Sequence, residues 1–235
     1  MATASPVTRR ERIRAMTLDE IREHGYAQIA EGGPAALSLN GIAKGMGMSG
    51  PSMYRYFASR DELLATLVTE SYEELANTLV EAAEDASRRG PEGRLRAVLH
   101  ASRDWAQRFP HRYRLIFGST YGSGALQPER TIPAAHRSMT VILTALADLG
   151  PDSTAPSVTD TVLARQLTAW GGQPGQDPLE PGVLLLGLRA WTRLHGIISL
   201  EIEGVFDQMG IDPARLYNTE IDHLISQRTN PTHPA

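Results

Sequence analysis

Apolar residues recur three and four apart along almost the whole chain, which is the spacing of helices with one buried face. Ile13, Met16, Ile21 and Ile29 mark a first helix, with a bend open at Gly25, that stops at Gly32-Gly33-Pro34. Thr8-x-x-Glu11 and Thr17-x-x-Glu20 are both capping-box patterns. A short helix follows over Leu39–Met46 with Ser38 at its N-cap, then another from Ser49 to about Phe57. Ser59-Arg60-Asp61-Glu62 caps a long helix through Leu63, Leu64, Leu67, Leu75 and Leu79 that stops before Gly90-Pro91. Further helices are expected near 92–109, 110–118, 130–149, 157–170, 182–206 and 213–228. Gly171 to Pro178 reads as a loose loop and 229–235 as a disordered tail. No alternating strand pattern and no internal repeat interrupts this series, so the fold class is all-α.

The most informative stretch is 38–57. Leu39, Ile42, Ala43 and Met46 make one apolar face, Gly47 sits where the chain turns sharply, and Met48 fills the corner. Met53 and Phe57 face inward on the next helix, which opens Ser49-Gly50-Pro51-Ser52. Small residues there let backbone approach base edges. Pro51 is harmless in a first helical turn, because its missing N–H would be unpaired anyway. Tyr54, Arg55 and Tyr56 follow with hydroxyls and a guanidinium suited to phosphates. This is the pattern of a helix-turn-helix, although any short corner between two helices uses similar apolar spacing.

Composition sharpens the picture. Ala and Leu total 54 residues against 22 for Val and Ile, which favours helix over sheet. Cysteine is absent, which excludes disulfides, thiolate metal sites and cysteine nucleophiles. Residues 1–60 carry eight basic and five acidic groups, net +3, whereas the remainder carries 15 basic and 22 acidic, net −7. A basic head on an acidic body suits a polyanion-binding module joined to something else. The longest apolar run, Val183–Leu186, is far short of a membrane span, and no secretory leader precedes Thr8-Arg9-Arg10, so a cytoplasmic protein without membrane partners is the default expectation. Arginine outnumbers lysine 22 to one, a bias that suggests a high-GC genome.

Ile42-Ala43-Lys44-x-Met46-Gly47-Met48-Ser49, then Met53-Tyr54-Arg55-Tyr56-Phe57 and Arg60-Asp61-Glu62-Leu63-Leu64, resembles the DNA-binding signature of the TetR/AcrR family of bacterial transcription regulators. The likeness spans residues 8–68 and is specific, since the turn glycine, Tyr-x-x-Phe and the acidic-Leu run occur together. It implies a three-helix DNA-binding domain over 1–60 and a helical effector-binding and dimerisation domain over 61–228. It further implies that Ser38 and Tyr54 contact phosphates and that Ser49, Gly50, Pro51 and Ser52 face the major groove. Tyr56 would meet backbone or a base, and Arg60 would cap the fourth helix near DNA. The family usually has lysine at the Arg60 position and often histidine at Tyr56, so the base sequence read is open. Lys44 is either a DNA contact or a solvated charge; Arg9, Arg10 and Arg12 either enter a minor groove or are a charged helix start.

The family also implies a cavity for a small apolar or aromatic effector. If the helix continues through Pro110, Trp105, Phe109, Tyr113 and Phe117 form an aromatic stripe that either lines that cavity or is core packing, with Met139 and Leu143 as further candidate walls. Leu184, Leu188, Trp191, His195, Ile198 and Ile202 form a second stripe, long enough to suggest a two-fold interface with intrachain burial as the alternative. His195 fits a satisfied buried histidine better than a ligand-binding one. Both the Phe109–Phe117 segment and Trp191-x-x-Leu194-His195-Gly196 resemble segments of an actinobacterial subgroup of the family.

No catalytic constellation, metal site or cofactor is expected. Gly45-x-Gly47-x-x-Gly50 matches a dinucleotide-binding pattern only literally, because no strand precedes it and no βαβ unit follows. The reading is therefore a homodimeric repressor on a palindromic double-stranded DNA operator, released by an effector. The competing class is an all-α enzyme or ligand carrier with a partner-binding head, which would have no need for Ser-Gly-Pro-Ser before Tyr-x-x-Phe.

Overall fold

A computed structural model describes residues 8–118, 128–150, 155–172 and 179–229, and every element among them is helical. The helices are α1 (Arg9–Gly32), α2 (Leu39–Gly45), α3 (Gly50–Met53), α4 (Arg60–Asp85), α5 (Gly90–Arg108), α6 (Pro110–Phe117), α7 (Pro128–Ala147), α8 (Thr161–Gly171), α9 (Pro181–Ile202), α10 (Val205–Met209) and α11 (Pro213–Thr229). Short 3-10 turns lie at Pro34–Ala36 and Ser87–Arg89. The expected loop at Gly171 to Pro178 and the 229–235 tail fall mostly outside the described residues.

The chain forms two compact units: 1–72 with 109–134, and 73–108 with 135–235. This partition differs from a boundary at residue 60, because the first half of α4 and all of α6 pack with the N-terminal helices. In that unit the Tyr72 hydroxyl donates to the Ile116 carbonyl at 2.8 Å, and the Tyr26 hydroxyl donates to the Leu67 carbonyl at 3.0 Å. The Arg112 guanidinium of α6 lies 4.0 Å over the Tyr26 ring of α1. Helix α1 runs unbroken through Gly25, where any side chain would press on Leu67 of α4. Ile21, Ile29, Ile42, Met53, Leu63 and Leu67 are buried, whereas Ile13 and Met16, expected on the same apolar face of α1, are exposed.

In the second unit α9 is the central helix. It packs against α5, α8, α10 and α11, and Gly187 admits Leu143 of α7 against its backbone. Helix α9 is long and apolar enough to cross a bilayer by composition alone. Here its Val183, Leu184, Leu186, Ala190, Leu194, Ile197 and Ile198 are buried, the arrangement of a core helix. Leu143, Leu167 and Leu184 form one apolar cluster, with Met139, Leu163, Trp170 and Leu188 packed around it.

Candidate nucleic-acid interface

The corner between α2 and α3 follows from a few local rules. Ser38 caps α2, its Oγ accepting from the Gly41 N–H at 3.2 Å, while its own N–H donates to Gln28 at 2.8 Å. The helix ends at Gly47, φ +65°, where the Met48 N–H donates to Ala43 and the Gly47 N–H to Lys44. This double closure needs a left-handed residue. Ser49 then caps α3, accepting from Ser52 N–H at 3.3 Å, with Pro51 in the first turn. Gly47→Ala should cost about 1–2 kcal/mol, all of it backbone strain, because an added Cβ would meet nothing within 4 Å. Chemical denaturation checks this, and Gly47→Asn should be the mildest substitution.

Helix α3 is shorter than its sequence suggests. It stops at Met53, and the Arg55 and Tyr56 N–H groups close tighter bonds to Ser52 and Met53 through residues 54–56. Met53 and Phe57 are buried, so this single turn is pinned by its underside, and Tyr54 is half exposed at 50%. Ser49, Pro51, Tyr54 and Arg55 are exposed and Gly50, Ser52 and Tyr56 partly so. The candidate contact residues therefore share one accessible stretch on a rigid base. Arg55 reaches back to the Ser52 hydroxyl at 2.9 Å, which links the two side chains. Lys44 is exposed on α2.

Arg60 behaves differently from a free cation aimed at DNA. Its Nε donates to the Leu37 carbonyl at 3.1 Å and its Nη2 to the Pro34 carbonyl at 2.5 Å, so it ties the 34–37 turn to the start of α4. A further residue that sequence reasoning passed over is Arg14, whose guanidinium lies 5.1 Å over the Tyr56 ring. The available signal was Arg10 and Arg14, four apart on one helix face. At the start of α1, the Thr8 N–H and hydroxyl bind the Glu11 carboxylate and hold its pKa below the ordinary value.

The expected effector walls separate into distinct places. Phe109 takes φ −129° and ψ 60° ahead of Pro110, as a residue before proline is steered away from helix, so the aromatic stripe is broken there. Trp105 is buried on α5 in the second unit. Tyr113 and Phe117 pack together on α6 in the first unit, ring centroids 5.0 Å apart, and Phe109 lies under the Arg112 guanidinium. Met139 and Leu143 belong to the α7–α8–α9 cluster.

The expected interface stripe also divides. Leu184 and Ile198 are buried within the chain, at 1% and 3% exposure, because α9 is a core helix. Leu188, Trp191, His195 and Ile202 are half-buried along its flank. Trp191 and His195 stack at 5.2 Å, and burial lowers the His195 pKa. The outward face of α9 carries Arg189, Thr192, Arg193 and Leu200, beside Gly196, where an added Cβ would meet open space.

Comparison with known proteins agrees with this architecture. Residues 21–67 match the model of bacterial regulatory proteins of the tetR family, and residues 95–224 match that of the tetracyclin repressor-like C-terminal domain. The HTH-type transcriptional regulator Rv1816 of Mycobacterium tuberculosis is 32% identical over 225 residues, covering 92% of each chain. The crystal structure of the regulatory protein SCO4313 superposes with a TM-score of 0.75 at 39% identity, over 92% of this chain and 98% of that one. The TetR family transcriptional regulator PfmR of Thermus thermophilus, at 19% identity, shares the fold with a TM-score of 0.57, over 88% and 97% of the two chains. The helix-turn-helix head and helical C-terminal part are those of a DNA-binding transcription regulator rather than an enzyme. The chain belongs to the TetR family.

Proposed function

We propose that this regulator is a repressor that binds a palindromic operator as a homodimer and leaves it when a small apolar or aromatic effector binds. The observation that carries the reading is the accessible run Ser49 to Tyr56, held on buried Met53 and Phe57. One such single-turn reading helix offers few base contacts, so specificity calls for two heads about one DNA turn apart, ~34–36 Å. The outward face of α9 and the flank carrying Leu188, Trp191, His195 and Ile202 supply the two-fold contact, together with α11. Leu184 and Ile198 support that surface from beneath. The effector site lies in the second unit, where Met139 and Leu143 belong to one apolar cluster, so the effector is apolar or aromatic. It acts by preferring the conformation whose heads no longer match the operator spacing.

In a mobility-shift titration with the genomic fragment the protein selects, Tyr54→Phe should bind about fivefold more weakly, the effect of one lost hydrogen bond of ~1 kcal/mol. Ser52→Ala should instead alter the preferred base beneath it. Tyr54→Ala binding as tightly as the wild type would remove the phosphate contact from the account.

A further inference from the structure

Beside the α3 stretch lies an open groove of about 760 Å³ lined by Arg9, Arg10, Ile13, Arg14, Arg55 and Tyr56. Four guanidinium groups from two segments surround it, and among the described residues no acidic one lines it. None of the four is in an ion pair among the described residues. Local energetics oppose this arrangement. Arg9 and Arg10 occupy the first turn of α1, where the helix dipole disfavours cations. Arg10 and Arg14 are like charges four apart, which repel. Ile13, exposed at 52%, lines the groove beside them. Folding alone gives no reason to collect these charges; an anion in the groove does, since it relieves the repulsion.

We propose that this groove is a second DNA contact, holding the sugar-phosphate strand that flanks the major groove entered by α3. The proposal rests on the DNA-binding reading above and extends it to α1. The groove is continuous with the reading stretch through Arg55 and Tyr56, so a strand lying in it is the same duplex that α3 reads. Arg14 has two roles: it carries charge into the groove, and its stack on Tyr56 fixes the direction of the phenol. Arg12 is exposed on the same helix and does not line the groove. It carries the same charge in the same segment and therefore separates a built site from general electrostatic attraction.

The test is the salt dependence of binding to a fluorescein-labelled random-sequence duplex, read by anisotropy with the full chain. Each phosphate contact contributes about 0.9 to the slope of log affinity against log salt. Each substitution removes a contact from both heads of the dimer, so Arg10→Ala and Arg14→Ala should each lower that slope by about 1.8, and the double variant by about 3.6. Each single variant reduces the affinity gained on a fourfold dilution of salt by about 12-fold. Arg12→Ala should keep the wild-type slope, and all variants should keep the wild-type melting temperature. Wild-type slopes in Arg10→Ala and Arg14→Ala would overturn the groove while leaving the α3 reading intact. So would an Arg12→Ala slope lowered as much as that of Arg10→Ala. A wild type that fails to bind the duplex even at the lowest salt would overturn both readings.

Discussion

Replacing Glu201 by alanine should cost about 3–5 kcal/mol of folding stability. Glu201 on α9 accepts two bonds from Arg103 on α5, at 2.8 and 2.5 Å, and one from Gln107 at 2.6 Å. Both side chains of the ion pair are only 13% exposed. The Glu201 bonds hold the Arg103 pKa above its ordinary value, against the opposing effect of burial. Arg103 also lies 5.7 Å over the Tyr217 ring, whose hydroxyl donates to Leu99, so the pair sits where α5, α9 and α11 meet. Removing the carboxylate leaves a desolvated guanidinium with its principal partner gone. The double variant Arg103→Met/Glu201→Met should recover most of the loss, because apolar packing substitutes well for a buried pair when both charges go. Urea denaturation of Glu201→Met, Arg103→Met and the double decides it: a double-variant loss equal to the sum of the two single losses would mean that the pair contributes nothing beyond packing.

Arg228→Met should also destabilise the fold, by about 1–3 kcal/mol. Arg228 is fully buried near the end of α11. Its guanidinium donates to the carbonyls of Leu146 at 3.4 Å, Ala147 at 3.3 Å and Gly150 at 2.5 Å. Leu146 and Ala147 close α7, and their carbonyls also accept from the Leu149 and Gly150 N–H groups at 3.3 and 3.5 Å. A cation there complements the helix dipole and satisfies acceptors that water does not reach. The Gly150 carbonyl, met by the guanidinium at 2.5 Å, loses that donor, and a buried acceptor left without one costs about 1–3 kcal/mol. Methionine fills much of the same volume, so the variant isolates the hydrogen bonds from the packing. A denaturation midpoint within error of the wild type would show that water replaces the guanidinium.

The features most legible in the sequence were those set locally. Gly47 fixes the reading corner, Ser38 and Ser49 fix two helix starts, and Gly32-Gly33-Pro34 fixes a stop, all within a few residues. Errors arose where periodicity ran across a break. Ile202, Val205 and Phe206 continue the spacing of α9, yet Gly204 at φ +68° ends the helix and starts α10. The aromatic stripe required one helix through Pro110, and the break expected at Phe109-Pro110 divides it. The start of α8 lies at Asp160, whose carboxylate accepts from Val162 and Leu163, rather than near residue 157. Tertiary placement was less legible still. No local rule tells that α9 is enclosed by other helices of its own chain, which turns Leu184 and Ile198 from interface candidates into core. Nor does spacing reveal that Arg60 binds the carbonyls of Pro34 and Leu37, because those partners lie in a turn 23 and 26 residues earlier.

The central claim, that Ser49 to Tyr56 read an operator, is tested most directly by sequencing the genomic fragments retained by the purified full-length chain, with Tyr54→Ala run in parallel. The account predicts one shared inverted repeat, its half-sites one helical turn or a multiple apart, enriched by the wild type and strongly depleted for the variant. Fragments with no common inverted repeat, or the same enrichment with Tyr54→Ala, would contradict it.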